Sequence, residues 1–389
     1  MKLTPTQYLG SLLLPLMFLS TPASAQEQVK IGLVAALSGD SALSGESIAR
    51  GMTVAIDEIN AKGGVLGGKK LVLVRRDDES NPAKGQLAAR ELIEKEKVAV
   101  VFGGIDTPVS MSLINVMSEL KTPYMGVWAA GTGITNNNKN PNYMFRVSAV
   151  DERVDAGMLK YAQDKFKSKR PGSMLVNNPW GDSNMKGLEK AAAALNITLA
   201  GQEKYNVNDI DTTAQLTRLK NAGADSIILV GNTGVAAQVM KSMERMNWNV
   251  PVVSHWGISG GRFDELAGPR YKDVVFVQTY SFFGKQSPVG DKVIAELKKR
   301  YPEIKGVNDI VAPVGTANAY DATMLTALAI NKAGSTNGEK IREAYYELPE
   351  YKGLIKTYKK PFSAESQDAL TDRDYIWVHF VGNAAVPVN

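Results

Sequence analysis

Short runs of β-branched residues alternate with helical patterns along most of this chain. The first run, VKIGLVAAL (29–37), precedes apolar residues at helical spacing between Ile48 and Ile59, and Gly63-Gly64 ends that pattern. Strand–helix alternation of this kind is typical of right-handed βαβ units. The sequence therefore predicts an α/β fold with parallel sheets that carry helices on both faces.

The alternation breaks once, at the polar segment 131–143, and then resumes in a second set. The final run, YIWVHFVG, alternates in the manner of an antiparallel edge strand. Two similar lobes are predicted, with no long linker between them. The predicted strands are 29–37, 70–77, 98–103, 122–128, 145–151, 171–178, 224–231, 250–256, 274–282 and 375–382.

The N-terminus has the features of an export signal. Lys2 precedes an apolar stretch, Leu9 to Leu19, and Ala23-Ser24-Ala25 fits the small-residue pattern of a cleavage site. The stretch is about half of the roughly 20 residues that span a bilayer. We expect a signal peptide over residues 1–25, cleavage after Ala25, and a bacterial periplasmic protein.

The composition excludes several classes of function. There is no cysteine, so disulfides, thiolate metal sites and cysteine-linked lipid anchors are ruled out. The charges are interspersed, with a net charge of +5, which argues against nucleic-acid binding. The chain has two histidines, His255 and His379, and no G-x-G-x-x-G loop joins its first strand to a helix. We predict a protein that is not an enzyme and uses no cofactor or metal.

The segments that follow the predicted strands have a similar amino-acid composition. They are rich in Gly, Ser, Thr, Asn and Trp and hold few carboxylates. In open parallel sheets, ligands bind beyond the carboxyl ends of the strands. Two lobes that present these segments to each other would form a cleft that closes around a small solute. The segments are 38–47, 103–107, 127–132, 177–181, 231–234 and 254–257.

Four motifs in order resemble the periplasmic leucine/isoleucine/valine-binding proteins, which are type I solute-binding components of ATP-driven importers. They are the opening 29–64 with its INAKGG, VVFGG (100–104), PWGDSN (179–184) and AYDATMLTAL (319–328). The resemblance spans the mature chain. It implies two doubly wound lobes joined by three crossover segments, residues 26–146 with 280–355 and residues 147–279 with 356–389. It also implies membrane permease partners, and we expect a monomer without a membrane anchor.

The same resemblance implies ligand-binding residues in the first lobe. Thr107 matches the hydroxyl that holds a ligand carboxylate, and the first turn of a helix favours an anion there. The loop with Trp128, Ala129 and Ala130 matches one that supplies backbone groups to the ligand. Tyr320 matches a pocket aromatic residue.

In the second lobe, Trp180 stands where the family has an aromatic residue that packs on the solute. Asn232 follows a strand and could donate a hydrogen bond to a ligand. Arg146 could pair with an anionic ligand, although a structural salt bridge between crossover segments is the favoured interpretation.

Trp256, preceded by His255, stands where the amino-acid binders carry an acid for the ligand ammonium. A buried ammonium without a partner is costly. We therefore expect an aromatic or arylalkyl carboxylate, with His255 and Trp256 in the cleft wall and His255 able to donate to the ligand. Branched-chain or other neutral amino acids, amides, and a sensor role on the same fold remain alternatives.

Overall fold

The computed structural model describes residues 1–2 and 27–388, so the predicted signal peptide lies almost entirely outside the described residues. The first sheet has five parallel strands in the order β2-β1-β3-β4-β5. Its neighbours β1 and β2 align from Gln28 opposite Lys70 to Ala35 opposite Asp77. The strands are β1 (Gln28–Ala35), β2 (Lys70–Asp77), β3 (Val101–Gly103), β4 (Tyr124–Gly126) and β5 (Met144–Arg146).

The second sheet has seven strands in the order β14-β13-β10-β9-β8-β6-β7. Strands β6 to β10 are parallel, and β13 pairs antiparallel with β10. The strands are β6 (Pro171–Val176), β7 (Gly201–Tyr205), β8 (Ser226–Val230), β9 (Val252–Ser254), β10 (Val274–Gln278), β13 (Ile376–Val381) and β14 (Ala384–Pro387), and a hairpin of β11 (Tyr351–Lys352) and β12 (Thr357–Tyr358) stands apart.

Eleven α-helices connect and cover the sheets within the described ranges. They are α1 (Ala42–Ala61), α2 (Pro82–Glu94), α3 (Thr107–Glu119), α4 (Asp151–Phe166), α5 (Pro179–Leu195), α6 (Thr213–Asn221), α7 (Thr233–Arg245), α8 (Phe263–Leu266), α9 (Pro288–Arg300), α10 (Pro313–Ala333) and α11 (Gly338–Tyr346).

Strand β1 shows how each face of the first sheet is covered. Ile31 and Leu33 pack in the same hydrophobic cluster as residues of α1, whereas Val34 packs with residues of α2 and α3. Because successive side chains of a strand point to opposite faces, the helices lie on both sides of the sheet. The predicted α/β, doubly wound architecture is confirmed.

Several details differ from the sequence prediction. Strand β13 is not an edge strand, because β14 pairs with its outer side. Strand β7 was not among the predicted strands. Strand β7 is short and partly exposed, with the sequence GQEKY, so its apolar alternation is weak.

The chain passes between the sheets at three places: after β5, after β10, and before β13. Helix α10, which follows β10, packs on α1 of the first lobe. Residues 367–369, which the predicted bounds assign to the second lobe, hydrogen-bond to Arg146 of β5. The exact lobe bounds stay a prediction.

The packing of α1 on α10 depends on a glycine. A Cβ at Gly51 would lie 2.2 Å from the backbone oxygen of Thr316. The Cβ position is fixed by the backbone of α1 and the oxygen belongs to the backbone of α10, so the helices would have to separate.

We expect Gly51→Ala to lower the free energy of unfolding by about 1–3 kcal/mol, measured by urea unfolding. Gly306→Ala is the matched control, since no atom lies within 4 Å of its added Cβ. Equal stability of the two variants would contradict this packing argument.

Candidate ligand-binding cleft

Each sheet has one point where the strand order reverses, and the two points face each other. In the first sheet it lies between β1 and β3, and in the second between β6 and β8. Ligands of doubly wound folds bind at such points. A cavity of about 460 Å³ joins them, lined by Ser38, Gly39, Asp40, Ser41, Glu79, Ser80, Asp106, Pro108, Val176, Asn178, Trp180, Val207, Asn208, Asn232, Gly234 and Val235.

The two lobes touch through side chains beside this cavity. The Asn232 amide nitrogen of the second lobe donates to Asp106 Oδ1 of the first over 3.2 Å. The Thr132 backbone N–H of the first lobe donates to Ser183 Oγ of the second over 3.1 Å. The structure thus describes a closed arrangement, in which loops from both sheets meet over the cleft.

The Asp151 carboxylate joins two of the predicted site residues. Its Oδ1 accepts from Trp180 Nε1 over 3.1 Å and lies 3.1 Å from His255 Nε2. The Asp151 backbone N–H donates to the Ala130 carbonyl over 2.8 Å. Asp151 and His255 have no solvent exposure, and Trp180 is 7% exposed. The Asp151 side chain therefore connects α4 with α5 and with the loop after β9. Its backbone N–H connects the same residue to the first lobe.

Both ring nitrogens of His255 have partners. Nδ1 accepts the Trp256 backbone N–H over 2.9 Å, so in the neutral ring the hydrogen lies on Nε2 and is donated to Asp151. His255 also contacts Trp180 edge-on, with ring centroids 5.1 Å apart. The expectation that His255 donates to the ligand does not fit this closed arrangement. Its geometry suits a residue that positions Trp256 and Trp180.

Two tryptophans from opposite lobes pack together deep in the cleft. Trp128 and Trp256 have ring centroids 6.4 Å apart at an interplanar angle of 60°, and both are buried. Two glycines make room for indoles: a Cβ at Gly315 would lie 2.9 Å from the Trp128 ring, and one at Gly257 would lie 2.7 Å from the Trp180 ring. Each lobe therefore contributes an indole where the two lobes pack together.

Thr107 lies in the first turn of α3, and its hydroxyl oxygen accepts the Gly131 backbone N–H over 3.1 Å. Within the described ranges, no acceptor takes the Thr107 hydroxyl hydrogen, which leaves it able to donate. Thr107, Ala129 and Ala130 are all buried. The structure brings the loops after β3 and β4 together, as expected of one binding wall.

Arg146 supports this wall from behind. It is fully buried, and its Nε donates to Asp368 Oδ1 over 2.7 Å. Nη1 donates to the Gly131 carbonyl over 2.9 Å, and Nη2 donates to Thr135 Oγ1 over 2.8 Å. All three guanidinium nitrogens are thus in use. The structural interpretation of Arg146 fits this arrangement, and a ligand contact does not.

Tyr320 is not brought to the other predicted residues. Its ring packs in a separate cluster with Val54 and Phe282, and its hydroxyl donates to Glu58 Oε2 over 2.6 Å. Lys292 and Lys62, together with this hydroxyl, outweigh the effect of burial and lower the pKa of Glu58 to about 2. Tyr320 lies in the second turn of α10, on the face that packs against α1 and α9, and away from the residues with which the resemblance groups it.

Two acids in the cleft were missed by the sequence analysis. Asp151 Oδ2 and Asp106 Oδ2 are buried and have no hydrogen-bond partner in the described part of the chain. Burial raises the pKa of Asp106, and the Ser80 hydroxyl and Asn232 amide oppose that rise. A usable signal was the place of Asp106 in the short loop between strand β3 and the first turn of helix α3. The loops were expected to hold few carboxylates, and neither of these two acids was among the predicted ligand-binding residues.

A third buried acid, Asp155, lies one helical turn after Asp151. Neither of its side-chain oxygens has a partner in the described ranges. Burial, and then the charges of Asp151 and Glu152, raise its pKa well above the usual value, which favours the protonated form. The described residues contain no group of three or more His, Cys, Asp or Glu side chains that could hold a metal ion. Nor is any helix of that part long and apolar enough to cross a bilayer.

The comparisons with known proteins agree on one family. A family model described as periplasmic binding protein matches residues 28–376. The chain is similar to a Leu/Ile/Val-binding protein homolog of Brucella melitensis, at 26% identity over 81% of this chain and 82% of that protein.

Solved structures are similar over 93% of this chain. A type 1 periplasmic binding protein from Bordetella pertussis gives a TM-score of 0.84 at 23% identity and is covered completely. A branched-chain amino acid transporter substrate binding protein from Streptococcus pneumoniae, in complex with isoleucine, gives 0.78 at 21%, with 99% covered. A solute binding protein from R. palustris, in complex with 4-hydroxybenzoate, gives 0.78 at 20%, with 96% covered. Identities this low show a common fold.

The buried acid Asp78, which directly follows the edge strand β2, predicts that the stability of the folded protein depends on pH. Burial raises the pKa of Asp78 to about 7, and the charges of Asp106 and Asp77 add to the rise. The folded state then keeps a proton that the unfolded chain loses near pH ~4, so stability falls as pH rises from ~4 to ~7, by at most about 1.4 kcal/mol per pH unit.

Asp78→Asn keeps an oxygen for the Ser80 N–H and removes this titration. Compared with the unmodified protein, we expect the variant to gain stability as the pH rises, with little difference near pH ~4 and the full gain above pH ~7, in urea unfolding. Asp372→Asn, at an exposed position, is the control. A difference that stays constant across this pH range would show that Asp78 is ionised in the folded protein.

Proposed function

Because the chain belongs to the periplasmic binding protein family, we propose that it is the extracytoplasmic solute-binding component of an ABC importer. It acts in the periplasm as a receptor without enzymatic activity, and it delivers its solute to membrane permease subunits. The solute is trapped when the two lobes close over the cleft. Closure is favoured because the bound solute contacts both lobes at once, which the open form does not allow.

The solute we propose is a small aromatic or arylalkyl carboxylate. The observation that carries this proposal is the pairing of Trp128 and Trp256 from opposite lobes, with Trp180 near by. Aromatic rings gain from burial against such side chains beyond the area effect alone. In the open form the two indoles would separate, and a ring of the solute would take the space between them.

The carboxylate has a place at the first turn of α3. The Thr107 hydroxyl has a hydrogen free to donate, and the amides of this turn together with the helix dipole favour a negative charge. The structural neighbour from R. palustris, which was solved in complex with 4-hydroxybenzoate, supports the same class of solute. The proposed contacts are Thr107 with the loop 128–130 from the first lobe, and Trp180, Asn232 and Trp256 from the second.

An amino acid is the second candidate, and one observation favours it. The argument against an ammonium group depended on Trp256 standing in place of an acid, yet Asp151 Oδ2 is buried near by without a partner in the described residues. An ammonium of the solute would satisfy this oxygen. The relative named as a Leu/Ile/Val-binding protein homolog, and the neighbour in complex with isoleucine, agree with this candidate.

A thermal-shift screen separates the two candidates. The set contains benzoate, 3-phenylpropanoate, phenylalanine and leucine; the second and third differ by one ammonium group. We expect benzoate or 3-phenylpropanoate to stabilise the protein, since a ligand at about 100 times its dissociation constant adds about 2.7 kcal/mol. If leucine or phenylalanine stabilises the protein and neither benzoate nor 3-phenylpropanoate does, the aromatic-acid proposal is rejected in favour of the amino acid.

Substitutions of Thr107 test the carboxylate contact. Thr107→Val keeps the shape and removes the hydroxyl, so we expect it to weaken binding of the carboxylate found in the screen by about 1–3 kcal/mol, measured by calorimetry. Thr107→Ser retains the hydroxyl and is the matched control, with near-normal affinity. Because the hydroxyl also holds the Gly131 N–H, the melting temperature of each variant is measured as well. Undiminished affinity in Thr107→Val would mean that the carboxylate is held elsewhere.

A further inference from the structure

The interface between α4 and α5 buries four oxygen acceptors that have no donor. They are Asp151 Oδ2, both side-chain oxygens of Asp155, and Asn184 Oδ1, and within the described ranges none of them accepts a hydrogen bond. The three residues are fully buried. Buried polar atoms are nearly always paired, so four unpaired acceptors at one helix interface imply that one of the two acids carries a hydrogen.

The two helices place these groups next to one another. Asp151 and Asp155 are four residues apart on α4, so their side chains lie on the same face. Trp180 of α5 donates to Asp151, and a Cβ at Gly187, about two turns later, would lie 2.0 Å from Asp155 Oδ2. The Asp155 carboxyl is therefore enclosed between the helices, one turn after Asp151.

A negative charge on Asp155 would have no compensating partner. Burial disfavours the charged form, and the charges that act on this carboxyl, those of Asp151 and Glu152, are both negative. Glu152 is itself paired with Lys190. The strands β8, β9 and β10, which pack against α4, contain no titratable side chain, and the turn Asp372–Asp374, which also contacts α4, has no buried residue. The surroundings of Asp155 thus favour a neutral carboxyl group.

We infer that the Asp155 carboxyl keeps its proton in the folded protein and donates it to Asp151 Oδ2. Hydrogen bonds from a neutral O–H to a carboxylate are among the short and strong ones. This bond leaves Asp151 Oδ1 to Trp180 and His255. Asp155 is therefore a positioning residue that acts on both rings through Asp151 and does not touch the solute.

This role bears on the class of solute, and it rests on the proposed function in that the rings belong to the same cleft. The amino-acid candidate needs Asp151 Oδ2 as the partner of an ammonium group. With the Asp155 hydrogen on this oxygen, an ammonium would lose its acceptor, which favours a solute without an amine. Asp155 thus contributes to specificity.

Infrared spectroscopy detects this proton without any ligand, because the C=O stretch of a protonated carboxyl group is separate from the bands of carboxylates. We expect the band in the unmodified protein at pH ~8, where Asp78, whose pKa is about 7, is mostly ionised. Asp155→Asn should lose it, whereas the matched control Asp78→Asn should keep it. If the band is absent from the unmodified protein, or is unchanged in Asp155→Asn, the inference is overturned.

Two substitutions separate the hydrogen of Asp155 from its size. Asp155→Asn keeps a donor for Asp151 Oδ2, and Asp155→Leu has a similar volume but no donor. We expect the preference for 3-phenylpropanoate over phenylalanine, measured by competition calorimetry, to fall about tenfold in Asp155→Leu and to stay within about twofold in Asp155→Asn. The melting temperature shows that each variant is folded.

A preference that does not change in Asp155→Leu would overturn the specificity role, since general damage to the lobe weakens both ligands alike. The infrared result keeps the buried proton apart from the proposed function. If neither benzoate nor 3-phenylpropanoate binds and the band is lost in Asp155→Asn, the proposed solute class is wrong and the proton on Asp155 stands. If these acids bind and the unmodified protein shows no band, the proposed function stands and the inference is rejected.

Discussion

The Asp151 carboxylate is the point on which the cleft depends. It starts helix α4 directly after the chain leaves the first sheet, and it accepts hydrogen bonds from Trp180 and His255 of the second lobe. Its own backbone N–H donates to Ala130 of the first lobe. A fully buried carboxylate needs such donors, because desolvation without them costs several kcal/mol. The requirement to satisfy one charge thus fixes the orientation of two aromatic rings that face the cleft.

Arg146 fixes the position of a loop in the first lobe, on the opposite side of the cleft. Its guanidinium binds Asp368, Thr135 and the Gly131 carbonyl, and so holds the loop after β4 against the crossover segment. The fork of five donors in an arginine can bind several acceptors at fixed angles. Both buried charges lie within six residues of each other, where the chain first crosses between the lobes. The rigid parts of the cleft are therefore built around the crossover, while contacts such as Asn232 to Asp106 lie farther out and form only when the lobes meet.

Much of the fold and part of the site could be predicted from the sequence, for an identifiable reason. Strands such as β1 and β8 are largely buried runs rich in Val, Ile and Leu, and helices such as α9 and α10 begin at a proline, so local pattern marks them. Strand β7 and helix α6 carry mostly polar residues on exposed surface and give no such pattern. The segments that hold Trp128, Trp180, Trp256 and Thr107 were predicted to lie together because they follow strands, and in parallel sheets all such positions meet at one edge.

By itself, the sequence determined the order of strands and helices, the doubly wound class and the set of loops that form the cleft, since these follow from periodicity and from the shared direction of parallel strands. Only the tertiary structure decided which groups in those loops are free. It showed that both nitrogens of His255 and all three of Arg146 are occupied, that Tyr320 faces Glu58, and that Asp106 and Asp151 keep buried oxygens without partners. Hydrogen-bond partners come from segments more than 100 residues apart, as with Asp151 and His255, and no local pattern records which donor reaches which acceptor.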